Sequence, residues 1–316
     1  MLQKTSSESR ASRRVSFIIT TRNRAEYLRK CLERCRELVS AEDELIVIDG
    51  LSTDNTGEVV EKYSGMINVF ISEPDSSGAH ALNKGVLIAR GKYIKQLPDD
   101  DIIYPEGMTR AIRVMEEHPE IDILYCGGTR KAGERVSTIC LSPGVNYGKS
   151  TEDVFRYGAT GIGFIYRRSS FSKIGLLHPT DLAADNEIIL RAIKQGANVK
   201  FCRINLFYHP IINLSVTTSQ RRKWQTDRYR LIREYCSFKF YLWYRWVRPL
   251  RLYYLNRWWK RRFLPWLLAL PGVHRAARAL RDMMKKILFR KTAVSDIKPT
   301  EKNAADNSSI WDGGFS

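Results

Sequence analysis

Val15-Ser16-Phe17-Ile18-Ile19-Thr20-Thr21-Arg22-Asn23-Arg24 begins as a β-branched, apolar run and passes directly into a polar loop. Such a run favours a buried strand. Just beyond it, Tyr27, Leu28, Cys31, Leu32, Cys35 and Leu38 recur at spacings of three and four with charges between them, the period of a helix that buries one face. Strand, loop and helix make one unit, and the order repeats. Glu44 to Asp49 is a second strand that ends in a carboxylate and runs into Gly50-Leu51-Ser52-Thr53-Asp54-Asn55-Thr56, with a helix starting over Glu58 to Tyr63. Ile67 to Ser72 reads as a short third strand, Ala79 to Ala89 as a helix stopped by Gly91, and Lys92 to Leu97 as a fourth strand. This alternation predicts an α/β fold with a mainly parallel sheet flanked by helices, whose ligands bind beyond the carboxyl ends of the strands.

The polar clusters fall at those ends: Thr20 to Arg24, Asp49, and the uninterrupted trio Asp99-Asp100-Asp101 after Leu97 and Pro98. Adjacent carboxylates repel one another, so they stay ionised only in open water or around a cation. Mg²⁺ or Mn²⁺ held by one or two carboxylates and substrate phosphates satisfies that need. A solvated turn that caps a helix is the plainer alternative.

Val15 to Asn23, Ile48-Asp49-Gly50-Leu51-Ser52-Thr53-Asp54-Asn55-Thr56, Ser72-Glu73-Pro74-Asp75, Ala81-Leu82-Asn83-Lys84-Gly85 and the acidic trio together resemble the successive motifs of family 2 glycosyltransferases, over roughly residues 13 to 215. The resemblance implies a GT-A fold, a nucleotide-diphosphate sugar donor with UDP favoured, Mn²⁺ or Mg²⁺, and inversion at the anomeric carbon. It assigns Asp100 and Asp101 to the metal, with Asp100 the favoured direct ligand, and Asp99 to the ribose or donor sugar. The register within the trio stays open. By the same resemblance Asp49 recognises the base, Thr20, Arg22 and Asn23 cradle base and ribose, and Asn83 and Lys84 lead to the diphosphate. Asp49 could instead be a turn or cap residue and Lys84 a solvated side chain, whereas Asp54 reads as turn chemistry in its own right.

An inverting transfer needs one base for the acceptor hydroxyl. Thr180 to Ile193 resembles the second acidic motif of the family, a carboxylate at a helix start closed here by Gly196, and places the base at Asp185. Ala184 stands where the commoner pattern has Glu, which leaves Glu187 as a reserve base. Asp181 and Asp185 as helix caps are the structural alternative. Gly158-Ala159-Thr160-Gly161-Ile162-Gly163-Phe164 is a glycine-spaced loop without the order of a dinucleotide fingerprint. The resemblance puts Thr160, Gly161 and Gly163 on the acceptor side, with the glycines allowing close approach of backbone to sugar. His209, after Ile204 to Tyr208, is either a further metal ligand or structural; His80 and His178 carry no pattern that assigns them work. Six cysteines without paired spacing fit a reduced compartment, with Cys31 and Cys35 as core thiols.

The net charge of +18 is concentrated between residues 221 and 291, which hold 21 Lys and Arg against three acids and six of the seven tryptophans. Interleaved Arg and Trp suit an anionic membrane interface and also nucleic acid. Val273 to Lys291 favours the membrane: Val273, Ala276, Ala277, Leu280, Met283, Met284, Ile287 and Leu288 form an apolar stripe opposite Arg275, Arg278, Arg281, Lys285 and Lys286. A helix packed on the catalytic domain with a solvated basic face is the alternative. No uncharged run approaches the roughly 18 residues of a spanning helix.

The expected organisation is a disordered leader over residues 1–14, a catalytic domain over 15–220, a basic membrane-association region over 221–291 and a mobile tail over 292–316. The expected protein is a cytoplasmic, peripheral glycosyltransferase on the inner face of the cell membrane. It would act on a lipid-linked or glycan acceptor in surface polysaccharide synthesis, with no nucleic acid partner. A nucleic-acid-binding protein with a degenerate first domain, or a catalytically dead assembly partner, is the rival reading.

Overall fold

Alternate residues of the first strands supply both faces of the core. In a computed structural model, which describes residues 13–179, 181–211, 220–248 and 312–315, β1 (Val15–Thr21) turns Phe17 and Ile19 to one side and Ile18 to the other. β2 (Glu44–Asp49) does the same with Leu45 and Val47 against Ile46 and Ile48. α1 (Ala25–Leu38) covers the first side with Leu28, Cys31, Leu32 and Cys35, at the spacing read from the sequence, while α2 (Thr56–Lys62) adds Val60. β3 (Val69–Ser72) continues the sheet beside β2, and α3 (Gly78–Ile88) covers the second side with Ala81, Leu82 and Val86. Ser77 caps α3, its hydroxyl accepting from the His80 amide at 3.1 Å.

β4 (Tyr93–Pro98) lies beside β1 and parallel to it. The acidic trio follows at its carboxyl end, and β5 (Ile102–Ile103) leads into α4 (Pro105–Glu117), whose first residue is a proline that needs no donor there. β6 (Ile123–Ala132) and β7 (Arg135–Ile139) form a hairpin. Then come α5 (Glu152–Tyr157), a 3₁₀ turn Gly161–Gly163, β8 (Phe164–Arg167), α6 (Phe171–Ile174), α7 (Ala184–Lys194) and β9 (Val199–Ile211). Among the described residues the sheet has nine strands in the order β3-β2-β1-β4-β8-β6-β9-β5, with β7 on β6. β8 runs antiparallel between β4 and β6, which brings the Gly161–Gly163 turn alongside the carboxyl end of β4. The mainly parallel sheet with helices on both faces agrees with the fold class read from the sequence.

Three boundaries depart from expectation. Arg13 and Arg14 belong to the fold: the Arg13 and Arg14 carbonyls accept from Lys92 and Tyr93 amides at 2.9 and 3.0 Å, and Arg14 pairs with Asp43. The core also does not stop at residue 220. α8 (Arg221–Tyr235) and α9 (Phe238–Leu242), which continues into a π-helical turn Trp243–Val247, bury Leu231, Ile232, Phe240 and Tyr244 in the α3/α7 side of the core. Helical spacing in a basic segment therefore served packing here, since an amphipathic helix buries its apolar face against whichever apolar surface is nearest. At the far end Asp312, Gly313, Gly314 and Phe315 are seated against β9 within the segment read as a mobile tail. The predicted interfacial helix over 273–291 and Trp311 lie outside the described residues.

Candidate active site

The ends of β1 and β4 meet as neighbours, with Thr20 opposite Pro98. One residue further, the buried Thr21 hydroxyl donates to Asp99 Oδ2 at 3.2 Å. Arg24, from the loop between β1 and α1, places Nε 3.0 Å from Asp99 and Nη2 3.1 Å from Asp100. These contacts are ionic and lack aligned hydrogen bonds, since neither nitrogen has a hydrogen-bond partner. Burial pushes the Asp99 carboxyl up to about 7; Arg24 opposes that shift and Asp100 reinforces it. Asp101 is also raised by burial, against the opposing hydrogen bond from His209, whose Nδ1 stands 2.6 Å from Asp101 Oδ1. The trio thus faces one guanidinium from the loop after β1 and one imidazole from β9, with the Thr21 hydroxyl beside them. The sequence placed the Thr20 to Arg24 loop on this rim but gave Thr21 and Arg24 no role; the β1–β4 pairing is what sets both against the trio.

Asp49 is buried at the end of β2. Its carboxylate accepts from the Ser52 amide at 3.0 Å, the Ser52 hydroxyl, and the Ser72 hydroxyl at 2.6 Å. Beside it, a side chain at Gly50 would collide with Asp75 Oδ2 at 2.3 Å and press on Arg22, so glycine is what lets Asp75 and Arg22 close over this loop. Arg22 is exposed and Thr20 half-buried on the same rim. Asn23, with φ +52°, turns inward to hold the neighbouring loop: its Oδ1 accepts from the Thr53 amide at 2.8 Å and its own amide donates to Ser52 Oγ at 2.7 Å. Asp54 does what a turn residue does, accepting from the amides of Ala25 at 3.0 Å and Thr56 at 3.1 Å.

Asn83 and Lys84, expected to lead to the diphosphate, are both engaged within the fold. Asn83 is buried and exchanges two hydrogen bonds with the Leu177 backbone, at 2.8 and 2.9 Å. Lys84 holds the Glu73-Pro74 corner, with Nζ 2.7 Å from the Pro74 carbonyl and 2.9 Å from Glu73. Asn83 ties α3 to the segment before α7 and Lys84 ties α3 to the loop after β3, contacts that a linear motif does not reveal.

At the other side of the rim Asp185 sits in the first turn of α7. Its Oδ2 accepts from the Gly161 amide at 3.2 Å and its Oδ1 from the Asn186 amide and side chain, each at 2.9 Å. Enclosure of the carboxyl raises its pKa, offset in part by the bonds from Asn186 and Gly161 and by the charge of Arg228 on α8. Glu187, the reserve base, is engaged: both its oxygens take Arg191 at 2.9 Å in a fork, and the Tyr235 hydroxyl donates to it at 3.0 Å. A Cβ added at Gly161 would meet Asp185 and Gln96 at 3.4 Å, so space does not demand a glycine there, and its link to Asp185 is the backbone amide. Gly163 is glycine for packing, because a Cβ there would lie 2.5 Å from the Tyr125 ring. Thr160 closes the turn by accepting from the Gly163 amide at 2.8 Å. Under the turn, the fully buried Lys95 ammonium donates to the carbonyls of Ile162 and Phe164, the latter at 3.2 Å, tying β4 to the loop that carries Gly161.

Asp49, the trio and Asp185 therefore converge on one rim, at the carboxyl ends of β2, β4 and the start of α7. Among the described residues no three His, Cys, Asp or Glu side chains already surround a single point. The donor set suits a hard cation all the same: two carboxylates and an imidazole leave positions for phosphate oxygens and water. His80 and His178 stay at the loop edge, with the Ser76 amide 3.1 Å from His80 Nδ1 and Asp181 3.6 Å from His178 Nδ1.

The model of the Glycosyl transferase family 2 matches residues 16–175. An uncharacterized glycosyltransferase of Rickettsia prowazekii is 28% identical over 168 residues, 51% of this chain and 52% of its own length. The chain thus spans about half the length of that relative. Among solved structures, TarS of S. aureus in complex with UDP-GlcNAc aligns with a TM-score of 0.59 at 18% identity, over 86% of this chain and 81% of its own. The mannosyltransferase PcManGT of Pyrobaculum calidifontis, in complex with GDP-Man and Mn²⁺, aligns with a TM-score of 0.50 at 16% identity, over 69% and 61%.

Proposed function

The chain belongs to glycosyl transferase family 2, and from that premise we propose that it is an inverting, metal-dependent transferase that moves a sugar from a nucleotide diphosphate to an acceptor hydroxyl. The observation that carries the reading is the placing of two unlike carboxylate groups on one rim: a shared acidic cluster at Asp99 to Asp101, and a single enclosed carboxylate at Asp185. A leaving diphosphate develops negative charge that needs a cation, whereas an attacking hydroxyl needs one base. Asp100 and Asp101, with His209 beside them, are the residues that would hold Mn²⁺ or Mg²⁺, whose charge would offset that on the diphosphate. Thr21 and Arg24 orient Asp99 toward the ribose or donor sugar. Asp49 receives the N–H of the base, UDP being the favoured donor, with Arg22 and Asp75 closing the loop around it. Asp185, held by Gly161 and Asn186, takes the acceptor proton; a pKa raised by enclosure makes it a stronger base than an exposed carboxylate.

The acceptor is a lipid-linked or other glycan, and the protein works at the inner face of an anionic membrane. The concentration of charge in residues 221–291 supports this. So does the exposed stripe Phe238, Leu242 and Trp246, at i, i+4 and i+8, beside Lys239, Arg245 and Arg248.

A thermal-shift panel of UDP-, GDP- and dTDP-sugars with and without Mn²⁺ tests the donor, because a ligand that binds only the native state raises its stability. UDP-sugars are expected to raise Tm in the presence of Mn²⁺, and Asp100→Ala to abolish the gain. Asp185→Asn is expected to keep that gain and lower transfer by about 10²-fold or more. Full transfer by either variant sinks the site assignment.

A further inference from the structure

β9 is paired with β6 along its length, but β5 covers its other edge only at Phe207 and Tyr208. At Cys202 and Arg203 that second edge is taken by the last described segment of the chain. The Gly313 amide donates to the Arg203 carbonyl and the Arg203 amide to the Gly314 carbonyl, both at 3.0 Å, and Phe315 bridges antiparallel to Cys202. The Arg203 guanidinium grips Asp312 as a fork, with Nε 2.7 Å from Oδ1 and Nη2 2.5 Å from Oδ2. The Cys202 thiol reaches the Gly313 carbonyl at 2.9 Å. Phe315 sets its ring against His118 edge to face, centroids 4.9 Å apart.

Gly313 has φ +76°, a backbone conformation that favours glycine, and a Cβ on Gly314 would meet the movable tip of the Arg203 side chain, at 2.6 Å. α4 begins beside the acidic trio and ends at His118, so this edge lies toward the amino ends of β6 and β9, away from the proposed active site. None of these residues has a part in the sugar-transfer reading, and a charged fork, a backbone pairing, a glycine at positive φ and an aromatic contact exceed what chance contact of a four-residue segment requires.

We propose that the edge of β9 at Cys202 and Arg203, with His118, is a recognition site for the segment Asp312-Gly313-Gly314-Phe315 of the same chain. The mode is strand addition, in which main-chain bonds give affinity and the Asp and Phe side chains give selectivity. Covalent connection keeps the segment at high effective concentration, so the site is filled in the intact protein.

The test uses a fluorescently labelled peptide with the sequence of residues 311–316, titrated into the full chain and into a chain stopped after Ile310. The shortened chain is expected to bind it at least about tenfold more tightly than the full chain, whose own segment competes. Arg203→Met in the shortened chain is expected to weaken binding about tenfold or more. Equal binding to both chains, or none to a shortened chain with an unchanged circular dichroism spectrum, overturns the proposal. Should the shortened chain not fold, hydrogen exchange on the full chain decides. Slow exchange at the Gly313 and Arg203 amides, released by Asp312→Lys, supports docking, and exchange at the unstructured rate at Gly313 refutes it. A concentration-dependent dimer that dissociates on Asp312→Lys would show exchange between copies and overturn closure within one chain.

Discussion

Lys95 is an amine with no exposed surface, held by two carbonyls under the turn that carries Gly161. Burial pushes its pKa down to about 7, with the charges of Cys126 and Asp101 opposing the shift. An unfolded lysine titrates near 10.4. Between about pH 7 and 10 the unfolded chain therefore binds one more proton than the folded one, and stability rises with pH across that window. Urea titrations at pH 7.5 and 9.5 should show the rise in the wild type and a smaller one in Lys95→Met; an equal rise would assign it to other groups. Leu51 presents a different residue-scale tension. It is 52% exposed at φ +60°, a conformation costing an L-residue about 1–2 kcal/mol. Leu51→Gly should raise stability by about 0.5–1 kcal/mol, after the extra entropy that glycine loses on folding. A fall would mean that the leucine side chain supports the Asp49 loop.

At the scale of elements, α7 and α8 are joined through one buried group. Glu187 lies between Arg191, one turn on, and Tyr235 at the end of α8, while the Arg191 fork also reaches the Leu176 carbonyl at 2.6 Å. Removing one partner of such a cluster leaves a charge without compensation. Glu187→Ala should cost about 3 kcal/mol in chemical denaturation, without the selective loss of transfer expected for Asp185→Asn. Transfer lost at unchanged stability would restore Glu187 as a base. The strands, the helix periods and the carboxylates at strand ends were legible because each depends on residues adjacent in the chain. Glu187 and Asp185 sit two apart on one helix, and only the positions of Arg191, Tyr235 and Gly161 distinguish the structural tie at Glu187 from the proposed base at Asp185. The partners of Asn83 and Lys84 were illegible for the same reason, as Leu177 and Pro74 lie in other loops.

Over the whole molecule, the basic segment divides. α8 and α9 bury Leu231, Ile232, Phe240 and Tyr244, yet leave Phe238, Leu242 and Trp246 exposed. Among the described residues no helix is long and apolar enough to cross a membrane. If the exposed stripe meets a bilayer, replacing Phe238, Leu242 and Trp246 by Ser should lower co-sedimentation with anionic liposomes severalfold and leave Tm within a few degrees. Unchanged binding would leave residues 249–291 as the contact, and stronger binding to RNA than to liposomes would remove the membrane from the proposal.

The sequence alone determined the alternating fold, the family and the rim on which the carboxylates gather. Those follow from hydrophobic period and strand-end placement, which are local properties of the chain. Only the tertiary structure decided that Thr21 and Arg24 face Asp99, that Gly161 holds Asp185, that Lys95 lies buried beneath them, that α8 belongs to the core and that Asp312 returns to Arg203. Each of these joins groups far apart in the chain, and it is the register of neighbouring strands, with the burial that follows, that brings them within hydrogen-bonding range.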